Sequence, residues 1–222
     1  MKFQRGSLFK PEHNHYKFAG TLLIVACIQY LIAVNISESM FPGNYSIALN
    51  SLSDLGGTIP LVDPSALIFN ISNIILGILI VAAVYLILKS GGCRLFSSCL
   101  LIFGISIGLL GIFTEYTPAI HVTLEALAFI FGSLALLFSY RLGINIQMTV
   151  ISIVLGLIAL ITFISPLIFG MGDNNPFGLY FGMGGSERLI IYPIILYLTA
   201  LGGYLSSRGK DWVKLRFTEG YW

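Results

Sequence analysis

Six side chains of this chain are of types that could do chemistry together: Asp54, Asn70, His121, Glu125, Glu187 and Arg188. Asp54, His121, Glu125 and Glu187 form the candidate catalytic set, since carboxylates and imidazole exchange protons or supply hard metal ligands. His121 and Glu125 are four residues apart, a spacing that places both on one helix face. Arg188 follows the run Gly182-Met183-Gly184-Gly185-Ser186-Glu187. Ser186 is placed to cap a helix there, and the glycines leave room for an anion at its N-terminus. A phosphate-bearing ligand would suit such a place, with Ser53, Asn70, Ser186, Arg188 and Tyr192 as the candidate binding set. The run Asn50-Ser51-Leu52-Ser53-Asp54-Leu55-Gly56-Gly57 is turn-forming and sets a carboxylate beside two glycines. Against catalysis, His13 and His15 belong to the N-terminal arm, so His121 has no second histidine. No serine or cysteine sits in a nucleophile elbow. Neither a metal nor a cofactor is expected.

These residues must be held by elements that live in lipid. Hydrophobic residues make up 56% of the chain and charged residues 10%, against about 25% charged in a soluble domain. Six apolar runs, at about 17–37, 66–88, 95–114, 118–140, 147–169 and 187–206, each approach the roughly 20 residues that cross a bilayer core. They are continuous rather than alternating, which excludes a β-barrel. The expected fold is all-α, a polytopic membrane protein built as a bundle of six transmembrane helices. Residues 1–16 form an arm, 17–206 the membrane domain and 207–222 an interfacial tail.

Charge sets the orientation. Lys2, Arg5, Lys10, Lys17, Lys89, Arg94, Arg141, Arg208, Lys210, Lys214 and Arg216 fall on one side of a six-span chain, and only Arg188 falls opposite. Acidic Glu38, Asp54, Asp63, Glu115, Asp173 and Glu187 gather on that opposite side. The bias of Lys and Arg toward the cytoplasm puts both termini inside and points to the plasma membrane. In the tail, Trp212, Tyr221 and Trp222 suit the inner headgroup layer. Cys27, Cys93 and Cys99 read as small core residues rather than a disulfide framework. A net charge of +2 is too weak and dispersed for nucleic acid. Expected partners are membrane lipids, together with other membrane proteins or a second copy of the chain.

Small and polar residues recur at helical spacing and mark the inward faces. They are Asn70, Asn73 and Gly77 on the second run, and Gly104, Gly108 and Gly111 on the third. On the fourth they are His121, Glu125, Ala128, Gly132 and Ser139, with Leu124, Leu127, Phe131, Leu134 and Phe138 turned to lipid. The sixth offers Arg188, Tyr192, Thr199 and Gly203. An ionised Glu125 within hydrocarbon costs several kcal/mol and needs a partner. Arg188 is the expected one.

The stretch Ser53-Asp54-Leu55-Gly56 through Pro60 and Pro64 to Phe69-Asn70 resembles a family of six-span prokaryotic membrane proteins. So do Pro118 with His121, and Gly185-Ser186-Glu187-Arg188-Leu189. The family is that of domain of unknown function 998, common in archaea, and the resemblance covers about residues 18–206. It implies the six-span architecture and an outward-facing cluster of motif residues. The Ser-Asp-x-Gly turn is also similar, more faintly, to the Frag–DRAM–Sfk group of six-span proteins.

Three functions are compatible with these residues. The first is a non-catalytic lipid-binding, scaffold or complex-subunit protein with an outward-facing polar cluster. The alternative is an outer-leaflet enzyme that works on a lipid-linked or phosphate-bearing substrate by acid–base chemistry. The third is a small transporter or channel, disfavoured by the lack of an internal repeat and of a continuous polar path.

Overall fold

In hydrocarbon each backbone N–H and C=O must be satisfied within the protein, and a helix does this segment by segment. The computed structural model describes residues 11–57, 63–170 and 174–207. Its elements are α1 (Pro11–Met40), the short α2 (Asp54–Gly57), α3 (Pro64–Lys89), α4 (Arg94–Leu110), α5 (Pro118–Phe138), α6 (Ile146–Phe169) and α7 (Pro176–Ser207). Among the described residues there is no strand. The expected Lys2, Arg5, Lys10, Pro60 and Asp173, and the tail from Arg208 through Trp222, lie outside the described residues.

Local chemistry sets the helix ends. The Asp63 carboxylate accepts the Ser65 N–H at 2.9 Å, and Pro64 occupies the first turn of α3, where no N–H is missed. Asn145 caps α6 through the Met148 N–H at 2.9 Å. Five of the long helices are long and apolar enough to cross a membrane unaided, while α4 has 17 residues. At about 1.5 Å per residue α4 spans roughly 26 Å, slightly short of a core about 30 Å thick.

The long helices pack as a closed sequential ring: α1 on α3, then α4, α5, α6 and α7, which returns to α1. α7 also touches α5, which draws it inward and leaves α6 the most peripheral. Small residues let the backbones approach, as the stripes predict. A Cβ on Gly77 would meet the Gly104 carbonyl oxygen at 2.5 Å and the Gly108 Cα at 2.6 Å. Where the end of α1 meets the start of α3, the Ser37 and Ser65 hydroxyls each donate to the other's carbonyl, at 3.1 and 2.9 Å. At the opposite end Ser139 and Tyr197 pair at 2.6 Å.

Some expectations on faces and boundaries are corrected. The small residue of α7 at the α1 seam is Gly202, packed on Gly20 and Ile24, whereas Gly203 faces open space. Gly203 is in helical phase with Arg188 and Tyr192 but lies a 100° turn from Gly202, off the α1 seam and exposed. Leu124 is buried rather than turned to lipid, because α5 is covered by α4, α6 and α7 and so hides a wide face. The last helix begins at Pro176, eleven positions earlier than residue 187, with a break at Gly182 (φ 71°). Only a glycine takes that φ without strain.

Candidate functional site

The polar residues at the end of the bundle that carries α2 divide into a clamp and a chamber. The clamp is centred on Arg188, which is buried on the first turns of α7 after the Gly182 break. One guanidinium nitrogen, Nη2, donates to Glu38 Oε1 at 2.6 Å and to the Tyr45 hydroxyl. The other, Nη1, donates to the carbonyls of Gly184 (2.9 Å), Asn50 (3.0 Å) and Ile47 (3.2 Å). Burial pushes the Tyr45 hydroxyl up to about 12, so it stays protonated and donates onward to the Ser51 carbonyl at 3.3 Å. The Arg188 charge also lies over the Tyr45 ring, 5.6 Å from its centroid. The expected partner, Glu125, is not the one Arg188 takes; Glu38 at the end of α1 is closer and is brought in by the α1–α7 seam.

The loop that Arg188 grips is folded by its own short-range bonds. Ser51 and Asp54 form a reciprocal capping box: the Asp54 N–H donates to Ser51 Oγ at 3.1 Å, and Asp54 Oδ2 accepts the Ser51 N–H at 3.0 Å. The same carboxylate oxygen accepts the Asn50 amide at 3.1 Å. Asp54 therefore starts α2 and does not join the other candidate acids. Ser186 does not cap its helix either: its hydroxyl donates back to the Gly182 carbonyl at 2.7 Å. The space the glycines leave is filled by the loop backbone rather than by an anion. The Gly184 N–H donates to the Ala48 carbonyl at 3.0 Å, and a Cβ on Gly184 would meet Ile47 O at 2.5 Å.

The chamber lies beneath α2. Ser53, Asn70, His121, Glu125 and Glu187 all line it, with Asn73 and Thr114 beside them and Tyr30, Phe69, Phe129 and Ile191 among its apolar walls. It is a cavity of about 30 Å³, room for roughly two water molecules at about 10–15 Å³ each. Asn70 donates to the Gly56 carbonyl at 3.1 Å, and Glu187 Oε2 accepts the Leu52 N–H at 2.7 Å, so both tie the chamber roof to the bundle. Glu125 has His121, Glu115 and Glu187 as its charged or polar neighbours. Tyr192 sits by the clamp, its hydroxyl near Arg188. Among the described residues no three His, Cys, Asp or Glu side chains gather as a metal site.

A family model described as "Protein of unknown function (DUF998)" matches residues 24–204. The chain belongs to the DUF998 family. The matched span runs from within α1 to near the end of α7, so this DUF998 chain carries its clamp, cap and chamber inside the family region. No curated protein and no solved structure matches the chain.

Glu38, Tyr45, Asn50 and Asn73 complete the site beyond the residues singled out for it in the sequence. Asn73 was legible as part of the Asn70 stripe, and Glu38 as one of the outer acids. Nothing in the spacing of Tyr45 or Asn50 points to Arg188, which is 143 residues from Tyr45. The two glutamates of the α4–α5 region should respond differently to removal. Glu115 is exposed and Glu125 half-buried on the chamber wall. Glu125→Ala should cost about 0.5–3 kcal/mol, because it removes packing from the chamber wall and enlarges the cavity. Glu115→Ala should stay within about 0.5 kcal/mol. Thermal melts of the two purified variants check this, and equal melting temperatures would remove the chamber from the stability of the fold.

Proposed function

We propose that this DUF998 protein is a non-catalytic, multi-pass component of the plasma membrane that binds lipid at its outer end, with both termini cytoplasmic. The observation that carries the reading is the state of Arg188. Its guanidinium is engaged by a carboxylate, a phenol and three carbonyls of the same chain. A cation so committed serves to hold the loop on the bundle and has little left for a substrate phosphate. The chamber is water-sized, too small for a lipid-linked substrate to reach Glu125 and His121. The outer rim offers Leu49, Tyr116 and Tyr180, exposed at 76%, 62% and 79%. Amphipathic rings at that level suit the headgroup boundary. A channel is disfavoured by the buried Ile80, Leu100, Phe103 and Leu136, which fill the bundle below the chamber.

The orientation rests on Lys17, Lys89, Arg94 and Arg141 at the end opposite the clamp. A single cysteine placed at Asp63, in a chain otherwise free of cysteine, should react with an impermeant maleimide on intact cells. One placed at Arg141 should react only after permeabilisation, and the reverse pattern overturns the orientation. Native mass spectrometry tests the lipid reading directly. Phospholipid adducts should survive detergent exchange on the intact protein and be depleted in a Tyr116→Ser/Tyr180→Ser variant. A protein that sheds all lipid while remaining folded would refute it.

A further inference from the structure

Among the long helices α3 packs on α1 and α4, and its backbone makes no close approach to α5 or α7 across the ring. The chamber is where these three helices face one another: Asn73 comes from α3, His121 and Glu125 from α5, and Glu187 from α7. Two of these side chains bring a buried polar atom that no protein group reaches. Asn73 is 2% exposed and its Oδ1 has no partner; His121 is 8% exposed and its Nε2 has none. The His121 Nδ1 lies 2.8 Å from the Phe113 carbonyl oxygen. A carbonyl can only accept, so Nδ1 carries the proton and Nε2 of the neutral ring offers a lone pair. Two donors on the same wall are already engaged, the Asn70 amide with the Gly56 carbonyl and the Ser53 hydroxyl with that of Ser51.

We propose that the chamber holds ordered water, which bridges Asn73 of α3 to His121 of α5 and joins the carboxyl groups of Glu125 and Glu187. A cavity of about 30 Å³ takes roughly two molecules at about 10–15 Å³ each. Water donates as well as accepts, so one species serves the two bare acceptors and the hydroxyl-bearing side chains Tyr30 and Thr114 of the wall. Ordering a water costs less than leaving a buried acceptor without a donor. No charge is called for, because the bundle favours neutral carboxyl groups where no counter-ion is at hand, and Arg188 is held by Glu38. An apolar occupant would leave Oδ1 and Nε2 unmet. The water therefore stands in for a direct contact between α3 and the far side of the ring. This site goes beyond the lipid-binding reading and does not depend on it.

Histidine-selective nitrogen NMR of the full-length protein in phosphatidylcholine nanodiscs tests it. The sequence has three histidines, so His13→Gln with His15→Gln leaves His121 as the one reporter. An Nε2 that accepts a hydrogen bond resonates upfield of a bare one, and magnetisation passes to it from water only when water is adjacent. The expected result is a hydrogen-bonded Nε2 with direct transfer from water. A bare Nε2 overturns the proposal. So does a hydrogen-bonded Nε2 without transfer from water, which would assign the donor to a protein hydroxyl. Asn73→Leu keeps the size and removes the acceptor. It should cut the transfer at least about twofold, since a buried water is held by several polar partners, and should melt below wild type. A dry chamber predicts the reverse, because leucine would add apolar contacts there. An Asn73→Leu protein that melts above wild type, or keeps the full transfer, overturns the bridge. Should that variant fail to fold, the signal of His121 decides alone. Glu115→Gln, outside the chamber, should leave the transfer unchanged.

Discussion

Replacing Arg188 with alanine is expected to cost about 3–5 kcal/mol of stability, the range for removing one partner of a buried ion pair. The penalty comes less from lost attraction than from what stays behind. Glu38, with its side chain 17% exposed, would keep a carboxylate without its counter-ion. The carbonyls of Ile47, Asn50 and Gly184 would lose their shared donor. Arg188→Lys should recover only part of the loss, because one ammonium cannot span both the Glu38 side and the carbonyl side as a planar fork does. Glu38→Gln should fall between wild type and Arg188→Ala, since an amide oxygen still accepts from Nη2. Reversible unfolding in mixed micelles measures all three. A loss below about 1 kcal/mol for Arg188→Ala would place it with surface ion pairs and remove the clamp as the reason the loop between α1 and α2 is ordered.

Gly184→Ala should be strongly destabilising. The new Cβ would stand 2.5 Å from the Ile47 carbonyl oxygen and closer still to that of Asn50. These atoms are backbone, so no rotamer change relieves the overlap; the loop itself must lift. Overpacking costs about 1–3 kcal/mol where side chains can shift. Here lifting the loop also withdraws two of the acceptors of Arg188 and the Ala48 carbonyl that takes the Gly184 N–H. Gly185→Ala is the comparison one residue away. Its Cβ would meet only the Phe181 Cβ, at 3.0 Å, and alanine favours a helix over glycine by about 1 kcal/mol. The Gly185 variant should therefore melt close to wild type and the Gly184 variant well below it. Equal melting temperatures would show that the loop is not seated on α7 as described.

The amino-acid sequence by itself determined the class of fold and which polar residues gather at one end of the bundle. Spanning length and low charge leave a helical bundle as the one arrangement that satisfies the backbone in lipid, and the segments do form helices. The Asn70-Asn73-Gly77 and Gly104-Gly108-Gly111 stripes face inward because helical periodicity is a local property and survives into the fold. The same periodicity brought His121 and Glu125 to one wall. Tertiary structure decided the pairings. Arg188 took Glu38, 150 residues away, in place of Glu125, because helix rotation and the return of α7 to α1 set which charges meet. Asp54 went to a capping box with Ser51, and Ser186 to the Gly182 carbonyl, since short side chains bond the nearest backbone group first. The glycines around Gly184 gave their space to a loop that folds back from 134–137 positions before it, across a distance that no local pattern encodes. Which polar group ends in the clamp and which in the chamber is therefore a property of packing between helices, while the presence of those groups at one end of the bundle is written in the chain.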